Sequence, residues 1–365
     1  MTTSRTRIRT HTRARIALAL GAALSLATLA GCAGSATADG TPASGDSDTV
    51  TVYTADGLND GDASYYSQVF AAFTAETGIK VQVVEGGSGE VLQRVNQESS
   101  NTQADLLVTL PPFIQIADED GLLTPYEPAG TENVPAEDKD ADGAYTTLVN
   151  NYIGFIHNTA EAAEAPESWE DLLDPAYQGK VQYSTPGIAG DGTAMLMLAR
   201  EVLGADRAYD FFGELQENNV GPSDSTGQLA AKVDKGELLI ANGDVQMNYA
   251  QSATMPNLGI FFLKGDDGTP TTLSVPYTVG LVANAPHEDA AKRLLDYLYT
   301  EDAQALITTS GGGFPARTDI TPAGDVAEDL AAIMDGVTVL HPDWDDIAAN
   351  LDAYIGEWNT VTGTL

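Results

Sequence analysis

Basic side chains are scarce in this 365-residue chain: 17 Lys and Arg stand against 53 Asp and Glu, a formal net charge of −36. Five of the arginines (Arg5, Arg7, Arg9, Arg13 and Arg15) fall in the first 15 residues, where no acid occurs. Without that segment 12 basic residues face 53 acidic ones, and the net charge becomes −41. Such a field repels polyanions, so a nucleic-acid function is excluded. A small ligand stays open, because a local site can differ in sign from the surface around it. Cysteine is nearly absent, and Cys32 alone supports neither a disulfide framework nor a cysteine zinc site. The four histidines, His11, His157, His287 and His341, show no metal spacing, so no metal and no cofactor are expected. His287 and His341 read as surface residues, and His157, at the end of a strand pattern, as core or site rim.

Several catalytic and cofactor motifs are missing too. Neither GxxxxGK[ST] nor GxGxxG occurs. GGSG (86–89) is not a nucleophile elbow, because Glu90 stands where glycine is required. DKDADG (138–143) matches the first half of a calcium loop, but its twelfth position is Val149, where a bidentate Glu is needed. It reads as a solvated acidic loop. Nothing local points to a catalytic triad, so the chain is not expected to be an enzyme.

The longest apolar run, IALALGAALSLATLA (16–30), follows the basic start and ends in LAGC (29–32). It has the length of a signal-peptide core and is too short to span a bilayer comfortably. Small residues before a cysteine are what a lipoprotein signal peptidase requires. The expectation is cleavage before Cys32 and a diacylglycerol on its sulfur, giving an extracytoplasmic chain anchored to the membrane by lipid. The 334 residues left suit two lobes of roughly 100–200 residues each. A composition of 43% hydrophobic and 19% charged residues excludes wholesale disorder. The small, polar stretch 33–49 reads as a flexible tether.

Beyond it, strand and helix patterns alternate. Strands are expected at 49–54, 80–86, 105–110, 151–158, 180–185, 237–242, 257–263 and 272–284. Helices are expected at 62–77, 89–99, 111–121, 168–177, 191–203, 207–217, 226–235 and 287–299. Tyr66, Val69, Phe70 and Phe73 share one helical stripe, and DLLVTL (105–110) reads as a strand buried on both faces. The alternation predicts an α/β fold with helix-covered, parallel-rich sheets. Ile347, Leu351 and Ile355 give the tail a helical spacing, expected to pack on the first lobe.

Ligands of open α/β sheets sit beyond the carboxyl ends of strands. Three segments there open helices with glycine and hydroxyl residues: GGSGE (86–90), GIAGDGTA (187–194) and PSDSTG (222–227). A helix N-terminus offers unpaired N–H groups and partial positive charge, so an oxyanion fits without any Lys or Arg. Asp56 and Asp244 also follow strands. A carboxylate one small molecule away from an anion nest suits a cation, and the pair implies a short zwitterion. Tyr277 and Pro112–Phe113 could wall its carbon chain.

LAGC, PESWEDLLDPAYQGKV (166–181) and AAKRLLDYLYTEDAQALITTSGGGFPARTDI (290–320) resemble the extracellular solute-binding proteins of ABC importers, in the cluster that includes ferric-iron binders. VTVYTADGLND (50–60), VEGGSGEVLQRV (84–95) and QADLLVTLPPF (103–113) look most like the subgroup for 2-aminoethylphosphonate uptake. The resemblance implies a bilobal type II fold with a hinge of two crossovers, closing on its ligand. It implies lobe 1 from 50–150 and 273–365, and lobe 2 from 151–272. The phosphonate would meet Ser88 and Gly89, then Thr185, Gly192 and Thr193, aided by Ser223 or Ser225. The ferric relatives place an adjacent tyrosine pair near Gly243 and Asp244, and this sequence lacks that pair. Asp244 would take the ammonium, with Asp56 as the second carboxylate. The partners implied are a small zwitterionic phosphonate and an ABC permease, with the protein acting as a monomer. Receptors for ferric iron, another oxyanion or a polyamine, and a cleft enzyme acting on phosphonates, are the alternatives.

Overall fold

β-branched and aromatic residues open the described part of the chain and form a strand next to the edge of the first sheet. The computed structural model describes residues 49–59, 61 and 63–364. The expected signal segment, Cys32 and residues 33–48 of the expected tether lie outside the described residues. The first run of elements is β1 (Thr49–Ala55), α1 (Tyr65–Thr77), β2 (Lys80–Gly86), α2 (Ser88–Glu98), β3 (Leu106–Thr109), α3 (Phe113–Glu119), β4 (Leu123–Thr124) and β5 (Tyr145–Asn150). The second is β6 (Ile153–Asn158), β7 (Val181–Gln182), α4 (Gly190–Leu203), α5 (Ala205–Leu215), α6 (Leu229–Asp234), β8 (Ile240–Asp244), α7 (Val245–Ser252), β9 (Leu258–Phe261) and β10 (Thr271–Leu273). The chain ends with β11 (Tyr277–Val282), α8 (Glu288–Leu298), α9 (Glu301–Leu306), a π-turn at Ile307–Gly311, β12 (Phe314–Pro315), α10 (Asp325–Ile333), β13 (Thr338–Leu340) and α11 (Trp344–Thr362).

Two larger sheets hold most of these strands, and β10 pairs with β13 in a small parallel third. The first has the order β12-β5-β11-β3-β1-β2, with β4 also on β11; the second has the order β7-β8-β6-β9. Parallel pairing holds β1 to both β2 and β3, and β7 to β8. The returning strand β11 is antiparallel to β3, β4 and β5, and β6 is antiparallel to β8 and β9. β3 is buried along its whole length, as its apolar run predicts. The α1 stripe of Tyr66, Val69, Phe70 and Phe73 is buried against the first sheet. On the second sheet Trp169 stands edge-on to Phe155 and Phe211 at 5.8 and 5.3 Å, a packed aromatic core.

The expected strand 272–284 is two strands, because Pro276 interrupts the ladder between β10 and β11. The chain passes between the sheets there and again at Asn151–Tyr152. The two passages are bonded to each other, Val275 N donating to Asn151 O at 2.9 Å. The expected helix 168–177 is a pair of 3₁₀ turns, since Pro175 starts a new turn capped by the Asp174 carboxylate. β5, α7, α9 and α10 were not expected. The C-terminal helix was expected on the first lobe. It packs largely beside the second sheet's helices: Trp358 stands edge-on to Tyr183, and the Arg200 guanidinium lies 4.0 Å from the Tyr354 ring. Its N-terminal end reaches Tyr145 of β5 through Asp345. Among the described residues no helix is long and apolar enough to cross a membrane.

Candidate functional site

The chain turns out of β1 at Asp56, and this carboxylate crosses to the other sheet. Its Oδ2 accepts the Gly227 N–H at 2.9 Å and the Ser225 hydroxyl, both from the segment before α6. β8 ends at Asp244, which is also the N-cap of α7; its Oδ1 accepts Met247 N at 2.6 Å. Tyr277 opens β11 beside both acids, its hydroxyl 2.9 Å from Asp56 O and 3.2 Å from Asp244 Oδ2. One O–H proton serves only one of these acceptors at a time. Asp56, Asp244 and Tyr277, far apart in sequence, thus meet at the junction of the two sheets.

A third carboxylate joins them. Asp191 is the second residue of α4, is 3% exposed, and has no partner for Oδ1 among the described residues. Burial pushes its carboxyl well above the usual range, and the charges of Asp244 and Asp56 push it further. Burial likewise raises Asp244 to about 6, with Asp56 adding to it and Met247 N–H, Asn151 and Tyr277 opposing. Burial and the same three acids raise the Tyr277 hydroxyl. Among the described residues, the groups that chiefly set the Asp191 and Asp244 carboxyls include no Lys, Arg or His.

The three glycine-rich segments converge next to these acids. Gly89 N donates to Ile188 O at 2.8 Å, and Ser223 N donates to Thr185 Oγ1 at 3.1 Å. Glycine is required at these contacts: a Cβ on Gly87 would stand 2.6 Å from Asp224 O, and one on Gly190 2.7 Å from Ser88 Oγ. The Ser88 hydroxyl therefore faces the first turn of α4. Among the described residues the amides of Gly190, Asp191 and Gly192 have no acceptor in that turn.

Other expected contacts serve the protein instead. Thr193 Oγ1 accepts Gly187 N at 2.9 Å and donates to Ala189 O at 3.0 Å, so it shapes the turn before α4. Ser223 Oγ donates to Ser225 O at 2.8 Å. Gly192 packs directly on Ser184, where a Cβ would lie 2.1 Å from its carbonyl oxygen. Phe113 is buried in a cluster with Leu92, and its ring edge lies 3.1 Å from where a Cβ of Gly89 would be. Tyr277 is fully buried, with its hydroxyl against Asp56 O and Asp244 Oδ2.

His157 is a core residue, its Nδ1 2.8 Å from Ala162 O. His287 caps the buried Asp105, its N–H and Nδ1 at 2.7 and 2.9 Å from that carboxylate. The acidic loop 138–143 closes on itself, Asp140 Oδ2 accepting Asp142 N and Ala144 N, both at 2.9 Å. Among the described residues no group of His, Cys, Asp and Glu could hold a metal ion.

Sequence reasoning missed Gln246, which links the layers. Its Nε2 donates to Gly57 O at 3.0 Å and to Gly311 O, at the end of the π-turn. Only the position next to Asp244 hinted at it. Asp191 was visible as a helix-mouth residue but not as a member of the acid cluster.

An acid cluster beside helix N-termini thus stands at the junction of the two sheets, and the chain belongs to the bacterial extracellular solute-binding protein family, which matches residues 56–305. It is a solute-binding protein, not an enzyme, with the type II periplasmic binding fold. It is 46% identical over 314 residues, 86% of this chain and 92% of the other, to the Salmonella paratyphi A protein named "Putative 2-aminoethylphosphonate-binding periplasmic protein". It is 28% identical to iron uptake protein A1 of Synechocystis, over 73% of this chain and 78% of that one. The periplasmic binding protein AfuA from Actinobacillus pleuropneumoniae superposes with a TM-score of 0.74 at 18% identity, covering 87% of this chain and all of that one. Apo ferric ion-binding protein A from Pasteurella haemolytica gives 0.69 at 20% identity, covering 86% and 98%. The two structural likenesses speak for the fold alone.

Proposed function

We propose that this protein captures a short zwitterionic phosphonate, 2-aminoethylphosphonate above all, and delivers it to an ABC permease for import. The observation that carries the reading is the meeting of Asp56, Asp244 and Tyr277 at the buried junction of the sheets, next to converging helix N-termini. The ammonium would sit against Asp244 and Asp56. The phosphonate would sit between the Ser88 hydroxyl and the first-turn amides of α4, with Gly89, Thr185, Gly192, Thr193, Ser223 and Ser225 fixing the loops around it. Charged hydrogen bonds contribute roughly 1.5–3 kcal/mol each, so a handful supports tight capture. Inorganic phosphate would leave the acids unpaired and is disfavoured for that reason. The 46% identity to a relative named for this compound supports the same ligand.

In this reading 50–150 and 273–365 form one lobe around the first sheet, with the C-terminal helix α11 reaching across onto the lobe of 151–272, and the two close by a hinge at the two bonded passages. The protein is held outside the cytoplasmic membrane by a lipid on Cys32 and works as a monomer. Replacing Cys32 with Ser should move it from the membrane fraction to the medium or the soluble fraction. A thermal-shift screen tests the ligand, since a compound bound only by the folded state raises the melting point. The screen should show the largest rise with 2-aminoethylphosphonate. A larger rise with ferric citrate, phosphate or a polyamine would reject the reading in favour of that ligand. Recovery of unchanged compound by phosphorus NMR separates capture from turnover.

A further inference from the structure

We propose that Asp191 is the third acid of the cation pocket, so that Asp56, Asp191 and Asp244 together accept the three N–H bonds of a primary ammonium, and that a proton leaves the cluster as the ammonium enters. The inference rests on the zwitterion reading above and adds a residue and a regulation to it.

Asp191 is 3% exposed, and its Oδ1 has no partner among the described residues. A buried acceptor left unpaired is costly, above all on a charged group, so it points to a donor that arrives with the ligand. The acids come from three separate segments: the end of β1, the start of α4 and the end of β8. A primary ammonium has three N–H bonds and suits three acceptors. A quaternary ammonium carries the charge but no N–H.

The titratable groups facing Asp191 are Asp56, Asp244 and Tyr277, and the Thr226 hydroxyl opposes their effect. Three carboxylates in a dry cluster do not all stay ionised without a cation, and they titrate as a unit. Alone, the cluster holds a proton. When the ammonium arrives with its own three protons, the O–H bond of the carboxylic acid breaks, the proton passes to water, and the freed carboxylate accepts an N–H. No other bond is made or broken.

The test is calorimetry at about pH 6 in MES and in imidazole, two buffers without primary amines that differ in ionisation enthalpy. The ligands are 2-aminoethylphosphonate, ethylphosphonate and the N,N,N-trimethyl derivative of the first. The difference between buffers should report about one proton released per 2-aminoethylphosphonate beyond whatever ethylphosphonate releases. The trimethyl compound should bind at least about tenfold more weakly than the primary amine. In Asp191→Asn the excess proton release should fall toward zero, and 2-aminoethylphosphonate should weaken by a larger factor than ethylphosphonate. If that variant does not fold, the wild-type buffer series and the trimethyl comparison decide. Tight binding of 2-aminoethylphosphonate with no excess proton release, or equal binding of the trimethyl compound, overturns this inference and leaves the zwitterion reading standing. No binding of any phosphonate overturns both.

Discussion

The Gly227 amide donates to Asp56 Oδ2 at 2.9 Å, so the carboxylate at the end of the first strand is held by the segment that precedes α6 beside the other sheet. The acid that would grip a ligand's positive end is thereby also a fastener between the layers. Ligand and closure share one residue.

Asp244 has the opposite balance. It caps α7 through Met247 N and meets Tyr277, but Asn keeps an acceptor for the cap and removes the charge. Asp244→Asn should weaken 2-aminoethylphosphonate by about tenfold to a hundredfold, the loss of one charged hydrogen bond, while ethylphosphonate changes far less. Titration of both compounds into both proteins checks this, and equal weakening would reject the ammonium role.

The raised Asp244 carboxyl gives a pH dependence of definite sign. Its folded pKa is about 6, above that of an unfolded aspartate near 3.9. In the window between these values the folded protein binds more protons than the unfolded one. Asp244 therefore contributes stability that is fully present below about pH 4 and is lost as the pH rises through about 6. Melting curves of the ligand-free protein and of Asp244→Asn should show the difference between them shifting in the variant's favour over that range. Affinity for the ammonium runs the other way, rising as the pH climbs through 6 because the cation needs the charged acid.

Gln246 separates closure from recognition. Gln246→Ala removes the bonds to Gly57 O and Gly311 O without touching the acids. A net loss of about 0.5–1.5 kcal/mol corresponds to roughly two- to tenfold weaker binding, and it should be the same for ligands with and without an amine. A selective loss for the amine would place Gln246 on the ligand instead.

The close approach at Gly89 makes a steric test. A Cβ there would lie 2.7 Å from Ile188 O, a backbone atom that cannot step aside like a side chain. Gly89→Ala should keep the sheets apart and weaken all phosphonates together, by about 1–3 kcal/mol of overpacking. Small-angle scattering with saturating ligand should show a larger radius of gyration than the wild type.

Much of the fold was readable because its strands follow simple patterns. DLLVTL announces β3 by burial on both faces, and the α1 stripe announces its helix by spacing. α7 was missed because it leaves β8 directly, with Asp244 as its cap and no apolar stripe: its buried face is Val245, Gln246, Met247, Asn248 and Gln251. The expected helix at 168–177 failed at Pro175, where chain geometry outweighs periodicity. At the site, glycine and hydroxyl clusters after strands identified the three segments that converge. Sequence could not show that Thr193 bonds its own turn, or that Asp191 points into the acids, because both depend on side-chain direction across the junction.

Calorimetry of the wild-type protein with 2-aminoethylphosphonate and with ethylphosphonate tests the central claim most directly. The account predicts that the amine-bearing compound binds at least about tenfold tighter, the difference coming from the ammonium against Asp56 and Asp244. A flat trace with 2-aminoethylphosphonate, or equal affinity for the two compounds, would contradict it.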